Sequence, residues 1–434
     1  MLRTAIVEVR AWEAFDSRGR PTVGCVVRVD GGGSGRAIVP SGASRGSHEV
    51  CELRDGGARY GGDGVRTAVW NVTGVLAAAV CGLDAADQAA VDAALQAADG
   101  TAALERLGGN AVLAVSLAAM LAVADETRTP LYRLLAGDAA PLLPLPMVNV
   151  VSGGAHAAGF LDIQDVLVVP VGASSFAEAM EWSWRVRAAA AALLEEQGGR
   201  SALVADEGGL AAPLGSNEAG VRLVAEGIER SGLAAGRDAA IAVDVAANQI
   251  TARDGRIQLR AEHRVLSTPE WIDEVAAWCD RYPIVSIEDV LAEDDWTGWA
   301  EATERLGAGR QLLGDDLFVT NVDRLRRGVA DGAANAVLIK PNQAGTFTSA
   351  RGVVAAARDA GYVPVISARS GDTEQAWLAD LAVGWRTGQI KVGSLTRSER
   401  TVKWNRLLQI EADHGAAAEF AGREALADNT RRRR

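Results

Sequence analysis

Residues 335–345 read NAVLIKPNQAG, an apolar run of strand length that stops at Lys340 and then turns through Pro341, Asn342 and Gly345. A lysine at the end of a strand is either a solvated terminus or a group delivered into a site. This stretch alone is compatible with both interpretations. What favours a site is that the same pattern recurs on both sides of it.

Five other apolar runs end on an ionisable or hydroxyl residue, namely Asp244, Glu288, Asp315, Ser367 and Lys391. From Glu288 onward these ends are 24 to 27 residues apart, the length of one strand, loop and helix. This spacing predicts a parallel β/α array, and a closed barrel of such units brings its strand ends to one mouth. Each carboxylate alone is also explained as a helix cap or a solvated end residue. Together they favour a shared site.

Composition restricts the class of protein. With 434 residues the chain is too long for one compact core, so two domains are expected, one of them large enough for a full barrel. The net charge of −12 and the absence of a basic stripe argue against a nucleic-acid partner. The only basic cluster, Arg431–Arg434, is expected to be a disordered tail, with nucleic-acid binding as the less favoured alternative.

Cysteine usage and hydropathy bear on the compartment. The four cysteines have no CxxC spacing or paired framework, which argues against structural zinc and fits a reducing cytoplasm. Charged residues interrupt the N-terminal stretch, so no signal peptide is expected there. The longest apolar stretch, 111–124, is too short to span a bilayer and is expected to be a buried helix, with no membrane association.

The chain divides at a proline-containing linker that begins at residue 137. Residues 1–136 start with three predicted strands and continue with Ala-rich helices, which predicts an N-terminal α+β domain; residues 137–434 carry the barrel pattern. Between the third strand and the helices lies the small-residue loop 41–46. It is either a plain flexible connection or a mobile lid whose backbone N–H groups and Ser44 hydroxyl close on an anion.

The residue types at the strand ends suggest a reaction. Asp244, Glu288 and Asp315 would repel one another in one site unless a cation lies between them, and oxygen-only ligands favour Mg²⁺ over zinc. Lys340, close to Lys391 and to metal charge, is expected to have its ammonium form disfavoured and to act as a base. Such a site suits removal of a proton α to a carboxylate, with Glu207 as the acid on the opposite side.

Many sequence blocks resemble the signature blocks of the enolase family, in the same order and over nearly the whole chain. They include FDSRGRPTV, VPSGASRG, SGGAHA, ADEGGLA, SIEDVLAEDDW, GDDLFVTN, VLIKPNQAG and RSERTVKWNRLLQIE. The resemblance implies an N-terminal α+β domain, an enolase-type β/α barrel and a homodimer. It also implies Mg²⁺-dependent interconversion of 2-phosphoglycerate and phosphoenolpyruvate.

The resemblance also implies roles for individual residues. Lys340 is similar to the general base and Glu207 to the acid near the leaving hydroxyl, while His156 and Asp165 occupy catalytic positions on the same side. The positions of the metal ligands are Asp244, Glu288 and Asp315, with Ser44 joining a second metal from the lid. Substrate contacts are implied for Gln164, Arg369, Ser370, Lys391 and Ser44.

Two departures from the family pattern lie on the side that handles the hydroxyl. Asp165 stands where the family has Glu, and Ala368 stands where it has His. A shorter carboxylate and a missing donor are each expected to slow ordinary dehydration strongly, and both enlarge the pocket. Smaller departures are Ser152, Ala205, Pro341, and Arg45, which adds a cation to the lid.

We interpret this pattern as a specialised paralogue that resembles carboxyphosphonoenolpyruvate synthase of phosphinothricin-type natural-product pathways. Such an enzyme would take a small phosphorylated carboxylic acid together with a nucleotide-activated phosphonate. Two alternatives stay open from the sequence: an ordinary phosphopyruvate hydratase that tolerates both substitutions, and a catalytically inactive scaffold.

Overall fold

The computed structural model describes residues 3–43 and 46–427. Its N-terminal part is a three-stranded antiparallel sheet of β1 (Ile6–Phe15), β2 (Pro21–Val29) and β3 (Ser34–Ile38). Helices follow at α1 (Arg66–Asn71), α2 (Ala77–Val80), α3 (Gln88–Asp99), α4 (Gly109–Glu126) and α5 (Leu131–Ala136), with one π-helical turn between the first two.

Helix α4 covers the sheet at very short range. A Cβ at Gly35 would lie 2.0 Å from the carbonyl oxygen of Ala118, so only glycine allows β3 to approach the helix this closely. Among the described residues α4 is the one helix long and apolar enough to cross a membrane, but most of it is buried in the protein. It is therefore a core helix, as the apolar stretch 111–124 predicted.

The C-terminal part is a closed eight-stranded barrel, so the predicted fold class is confirmed. Around the barrel the strands are β5 (Leu145–Ser152), β6 (Asp165–Val169), β7 (Ala240–Asp244), β10 (Ile284–Glu288), β11 (Gln311–Gly314), β12 (Ala336–Ile339), β13 (Val363–Ser367) and β14 (Gln389–Gly393). Four short strands lie outside it: β4 (Leu142–Leu143), which pairs with β15 (Glu419–Phe420), and β8 (Ile257–Leu259), which pairs with β9 (Arg264–Leu266).

Helices surround this barrel, and most of them begin at a capping side chain. They are α6 (Phe176–Glu196), α7 (Asn217–Arg230), α8 (Thr268–Arg281), α9 (Trp296–Leu306), α10 (Val322–Asp331), α11 (Pro341–Ala344), α12 (Phe347–Asp359), α13 (Trp377–Gly384) and α14 (Ser398–His414). Ser267 forms a capping box with Glu270 at α8, and side chains of Ser, Asp, Asn or Thr also cap α6, α7, α9, α10 and α12. These caps satisfy backbone N–H groups that a helix start leaves unpaired.

One strand departs from the parallel array that the spacing predicted. Strand β6 is antiparallel to both of its neighbours, β5 and β7. The segment between β5 and β6 contains only one short 3₁₀ turn, and a parallel return needs a longer crossover, usually through a helix. As a result β6 presents its first residue, Asp165, at the mouth where the other strands end.

The barrel interior is packed, which confines any site to the mouth. Met147, Leu167, Leu313, Leu338 and Val365 are each at most 1% exposed inside it. The N-terminal part closes one side of the mouth. Ser41 forms an isolated β-bridge with Gly371, and the segment 46–50 also contacts the barrel loops. Residues of the N-terminal part therefore line one side of the mouth.

Candidate active site

Three carboxylates meet at the barrel mouth from three adjacent strands. Asp244 ends β7, Glu288 ends β10 and Asp315 directly follows β11. Asp244 and Glu288 are paired residues in the strand register, and all three side chains are buried. Burial and the nearby Asp244 charge raise the pKa of Glu288 well above its ordinary value. The three strand ends therefore form one electrostatically coupled cluster.

Two lysines supply positive charge to this cluster. The Lys391 Nζ atom lies 2.6 Å from Asp244 Oδ2 and 2.7 Å from Glu288 Oε2. Lys340 Nζ forms an ion pair with Asp315 Oδ2. Lys391 lies in β14 and Lys340 directly follows β12, so the curvature of the barrel brings the two ammonium groups to different members of one carboxylate cluster. The lysines expected at this site thus lie together with the acids.

Opposing effects act on the pKa of Lys340. Burial lowers the pKa of Lys340, but the Asp315 and Glu288 carboxylates together outweigh burial, so the pKa lies above its ordinary value. In return, burial raises the pKa of Asp315 while Lys340 lowers it, and the net shift is downward. A cation coordinated by Asp315 would compete with Lys340 for that carboxylate, which is the condition under which the amine becomes a base.

Side-chain amides orient the same carboxylates. Gln164 donates from Nε2 to Asp244 Oδ2 at 2.9 Å, and Gln249 in turn donates to Gln164 Oε1 at 2.7 Å. Gln343 donates to Asp315 Oδ1 at 2.9 Å and accepts a hydrogen bond from the Thr320 hydroxyl at 2.7 Å. Gln343 lies within the stretch 335–345, but sequence reasoning did not select it, because an amide has no charge signal of its own.

A second group of ionisable residues comprises His156 after β5, Asp165 at the start of β6 and Glu207 after α6. His156 Nδ1 is 3.0 Å from Asp165 Oδ2, and its Nε2 is 3.9 Å from Glu207 Oε1. Burial lowers the pKa of His156, but the Asp165 and Glu207 carboxylates raise it by more, so that the pKa is about 9. His156 is therefore an imidazolium at neutral pH that links the predicted acid to Asp165.

The two departures have different structural settings. Asp165 Oδ1 accepts hydrogen bonds from Asn149 Nδ2 at 2.5 Å and from Ser152 Oγ at 2.7 Å. Because His156 contacts the other oxygen, protein groups engage both oxygens of this carboxylate. Ala368 is 7% exposed and offers only a methyl group beside Lys391, whose carbonyl accepts the Ala368 backbone N–H at 2.9 Å.

Arg369 and Ser370 follow β13 at the side where the N-terminal part closes the mouth. Arg369 Nη1 donates to Glu49 Oε2 at 2.8 Å, and the Ser370 hydroxyl accepts the backbone N–H of Ala43 at 2.6 Å. A buried arginine and a hydroxyl in this position suit a phosphate group. Ser44 and Arg45, singled out in the lid, lie outside the described residues, as does the Arg431–Arg434 tail.

The donor set fits a hard divalent cation. Asp244, Glu288 and Asp315 offer carboxylate oxygens held by amide and ammonium donors, the type of ligand that Mg²⁺ prefers. Acidic oxygens of Asp289, Asp315 and Asp316 also lie within 4.8 Å of one another. The two carboxylate oxygens of Asp289, however, accept hydrogen bonds from the backbone N–H groups of Asp315 and Asp316. Asp289 therefore stabilises the loop after β11. The strand-end trio is therefore the better candidate metal site.

Comparison with known protein families follows the division of the fold. The family model described as "Enolase, N-terminal domain" matches residues 6–135. The model described as "Enolase, C-terminal TIM barrel domain" matches residues 140–429. The two matches cover nearly the whole chain and agree with the α+β part and the closed barrel. The resemblance seen in the sequence blocks is confirmed, and the chain belongs to the enolase family.

Proposed function

We propose that this protein is a Mg²⁺-dependent enzyme that removes the α-proton of a small phosphorylated carboxylic acid of the 2-phosphoglycerate and phosphoenolpyruvate type. One observation carries the proposal. Lys391 of β14, which is buried, and Lys340, which directly follows β12 and is 12% exposed, reach the three carboxylates at the ends of β7, β10 and β11. Proton removal next to a carboxylate needs a base and fixed positive charge at the same point, and this cluster contains both.

Each residue of the cluster has a distinct part in this proposal. Asp244, Glu288 and Asp315 would hold the cation, which when bound supplies positive charge that stabilises the enediolate form of the substrate. Lys340 takes the α-proton once its pairing with Asp315 is relieved. Lys391 holds the substrate carboxylate, and Gln164 keeps Asp244 in place. Arg369 and Ser370 bind the substrate phosphate.

The leaving step belongs to the opposite side of the site. Glu207 donates a proton to the departing group, and the His156 imidazolium, 3.9 Å from it, stabilises its ionised form afterwards. Asp165 fixes the orientation of His156 and is itself held by Asn149 and Ser152. With its oxygens engaged by protein groups, Asp165 is poorly placed to reach a substrate hydroxyl.

We propose further that the departures at Asp165 and Ala368 specialise the enzyme for a modified enolpyruvate product, as the resemblance to carboxyphosphonoenolpyruvate synthase implies. Two features support this. The methyl group of Ala368 offers no hydrogen-bond donor where the family has an imidazole. The Asp165 carboxylate accepts hydrogen bonds from protein side chains. In this proposal a nucleotide-activated phosphonate is the second substrate, and the route is phosphinothricin-type biosynthesis. Ordinary hydration and dehydration is the competing outcome.

The test follows two events in one reaction. The protein is incubated with Mg²⁺ and 2-phosphoglycerate in deuterated water, while deuterium uptake at C2 and phosphoenolpyruvate formation are recorded together. Exchange with little product is the expected result, because Lys340 still acts while the leaving step has been redirected. Rapid phosphoenolpyruvate formation would instead identify an ordinary phosphopyruvate hydratase, and absence of both would favour the inactive scaffold.

Two variants separate the halves of the reaction. Lys340→Ala should reduce C2 exchange by roughly 10²- to 10⁴-fold, the range for loss of a general base. Glu207→Gln should retain C2 exchange and should lose the small amount of phosphoenolpyruvate formation expected of the parent protein. Equal loss of exchange in both variants would contradict the assignment of Lys340 as the base.

A further inference from the structure

A cavity of about 570 Å³ lies beside the candidate active site and is lined by three arginines, Arg18, Arg20 and Arg397. We refer to it as the arginine cavity. Arg18 and Arg20 belong to the turn between β1 and β2, whereas Arg397 directly precedes α14. Residues from opposite ends of the chain therefore bring three guanidinium groups around one space of the size that small-molecule sites have.

The arginine cavity is next to the catalytic loops. Its wall includes Ala155 and Asp206, which immediately precede His156 and Glu207 in the chain. The backbone N–H of Asp206 donates to the carbonyl oxygen of His156 at 3.2 Å, so the two loops are joined here. On another side the Ser17 hydroxyl donates to the carbonyl oxygen of Ser370 at 3.3 Å. A molecule in this cavity would therefore lie close to a substrate at the mouth.

Arg18 is almost completely buried, with 8% of its side chain exposed. Its Nη2 atom donates to the carbonyl of Gly42 at 3.0 Å and lies 3.4 Å from the Ser41 hydroxyl. Its Nε atom is buried, makes no hydrogen bond and lies 3.6 Å from Asp16 Oδ2, and Nη1 makes no hydrogen bond to any described residue. Burial lowers the pKa of Arg18, while the nearby Asp16 carboxylate raises it in part. The Nη1 donors of this buried guanidinium are available to bind an anion.

Arg397 and Arg20 also keep donors available. Arg397 binds the Ser17 carbonyl through Nη2 at 2.7 Å and Glu399 through Nε at 2.9 Å, and its Nη1 makes no hydrogen bond within 3–43 or 46–427. Its backbone has φ 74°, an unfavourable value for a residue with a Cβ. The Arg20 side chain is half exposed, and its Nε atom lies 3.9 Å from Asp63 Oδ2. Neither Glu399 nor Asp63 lines the cavity.

The charge around the cavity selects the class of ligand. Three guanidinium groups face it, and Asp206 is the single carboxylate among its described lining residues. Guanidinium groups bind phosphate oxygens through paired N–H donors more specifically than a point charge does. We propose that the arginine cavity binds the phosphate group of a second phosphorylated molecule beside the catalytic mouth. Its identification as a co-substrate site rests on the proposed function, whereas the anion site itself does not.

The test measures binding of inorganic diphosphate by calorimetry with excess EDTA, so that no metal complex of the probe forms. Arg20→Gln and Arg397→Gln should each weaken binding about tenfold, the effect of losing one charge-assisted contact. The matched control is Arg10→Gln, which changes an exposed arginine of β1 outside the cavity and should leave binding unchanged. Ser370→Ala should also leave it unchanged, because that hydroxyl belongs to the catalytic phosphate position.

Two results would overturn the proposal. One is the absence of saturable diphosphate binding. The other is binding that is insensitive to Arg20→Gln but weakened by Ser370→Ala, which would place the anion in the catalytic site. If Arg397→Gln does not fold, Arg20→Gln still decides, because the Arg20 side chain makes no hydrogen bond to a described residue. The deuterium-exchange assay can give a negative result while diphosphate still binds. Failure of the proposed function is therefore distinguishable from failure of the anion-site proposal.

Discussion

Replacement of Lys391 by methionine tests whether the strand-end carboxylates form the metal site. The Lys391 side chain is 7% exposed and contacts Asp244 at 2.6 Å and Glu288 at 2.7 Å. Methionine keeps the length and the apolar stem but removes the ammonium group. The variant therefore leaves two buried carboxylates on neighbouring strands without their shared partner.

The expected loss of stability follows from these contacts. Removing one partner of a buried ion pair costs roughly 3–5 kcal/mol. We expect the lower end, about 3 kcal/mol, because Gln164 still donates to Asp244 at 2.9 Å and the raised pKa of Glu288 allows it to take up a proton. With an unfolding entropy of ~2.1 cal/mol/K per residue, this loss lowers the Tm of the 434-residue chain by roughly 3 °C in a cooperative transition.

The structure offers a matched control at Lys403. This lysine is 1% exposed and contacts Asp372 at 2.6 Å and the carbonyl oxygens of Thr373 and Glu399 at 2.8 Å. Lys403→Met should therefore destabilise the protein to a similar extent. Because Lys403 does not contact the strand-end trio, its variant should keep the Mg²⁺ response of the parent protein.

The assay is thermal unfolding with excess EDTA and with excess Mg²⁺. In Lys391→Met the cation no longer competes with the ammonium group, and we expect about tenfold tighter Mg²⁺ binding, which corresponds to an extra ~1.4 kcal/mol of stabilisation. The Mg²⁺-induced rise in Tm should be larger in Lys391→Met than in the parent and unchanged in Lys403→Met. An identical Mg²⁺ response in both variants would refute the placement of the metal at these carboxylates.

Three other predictions concern the surroundings of the cluster. Asp165→Glu combined with Ala368→His should raise 2-phosphoglycerate dehydration by roughly tenfold or more; no gain would show that these positions do not set specificity. His156, with a pKa of about 9, should stabilise the fold fully below ~6.5 and lose that contribution as pH rises through about 9; imidazole NMR should show Asp165→Asn lowering its midpoint. Gln343→Leu should weaken Mg²⁺ affinity by roughly 10- to 100-fold, because Asp315 loses the amide that orients it. Calorimetry measures this affinity, and an unchanged value would contradict the prediction.

Local sequence was sufficient for much of this site. Asp244 and Glu288 were recognised because each ends a buried apolar run, and Lys340 because it ends the run 336–339. Spacing along the chain then predicted that these ends share a barrel mouth. Such patterns depend on the period of one element and the length of its connection, and both can be read from neighbouring residues.

Other features depend on contacts between distant segments. The direction of β6 placed Asp165 at the mouth, and only the tertiary structure showed Asn149 and Ser152 holding its carboxylate. The position of Gln343 beside Asp315 also required the folded chain, since an amide is equally common on any surface.

The sequence by itself determined the β/α barrel pattern with its N-terminal α+β part, the acids and lysines at the strand ends, and the family. Only the tertiary structure decided which lysine pairs with which acid, that burial and Asp315 act against each other on Lys340, and that Arg18 and Arg397 line one cavity. The physical reason is that charge pairing and burial act through space. Hydrophobic periodicity is local, whereas these interactions depend on how distant segments come together when the barrel closes.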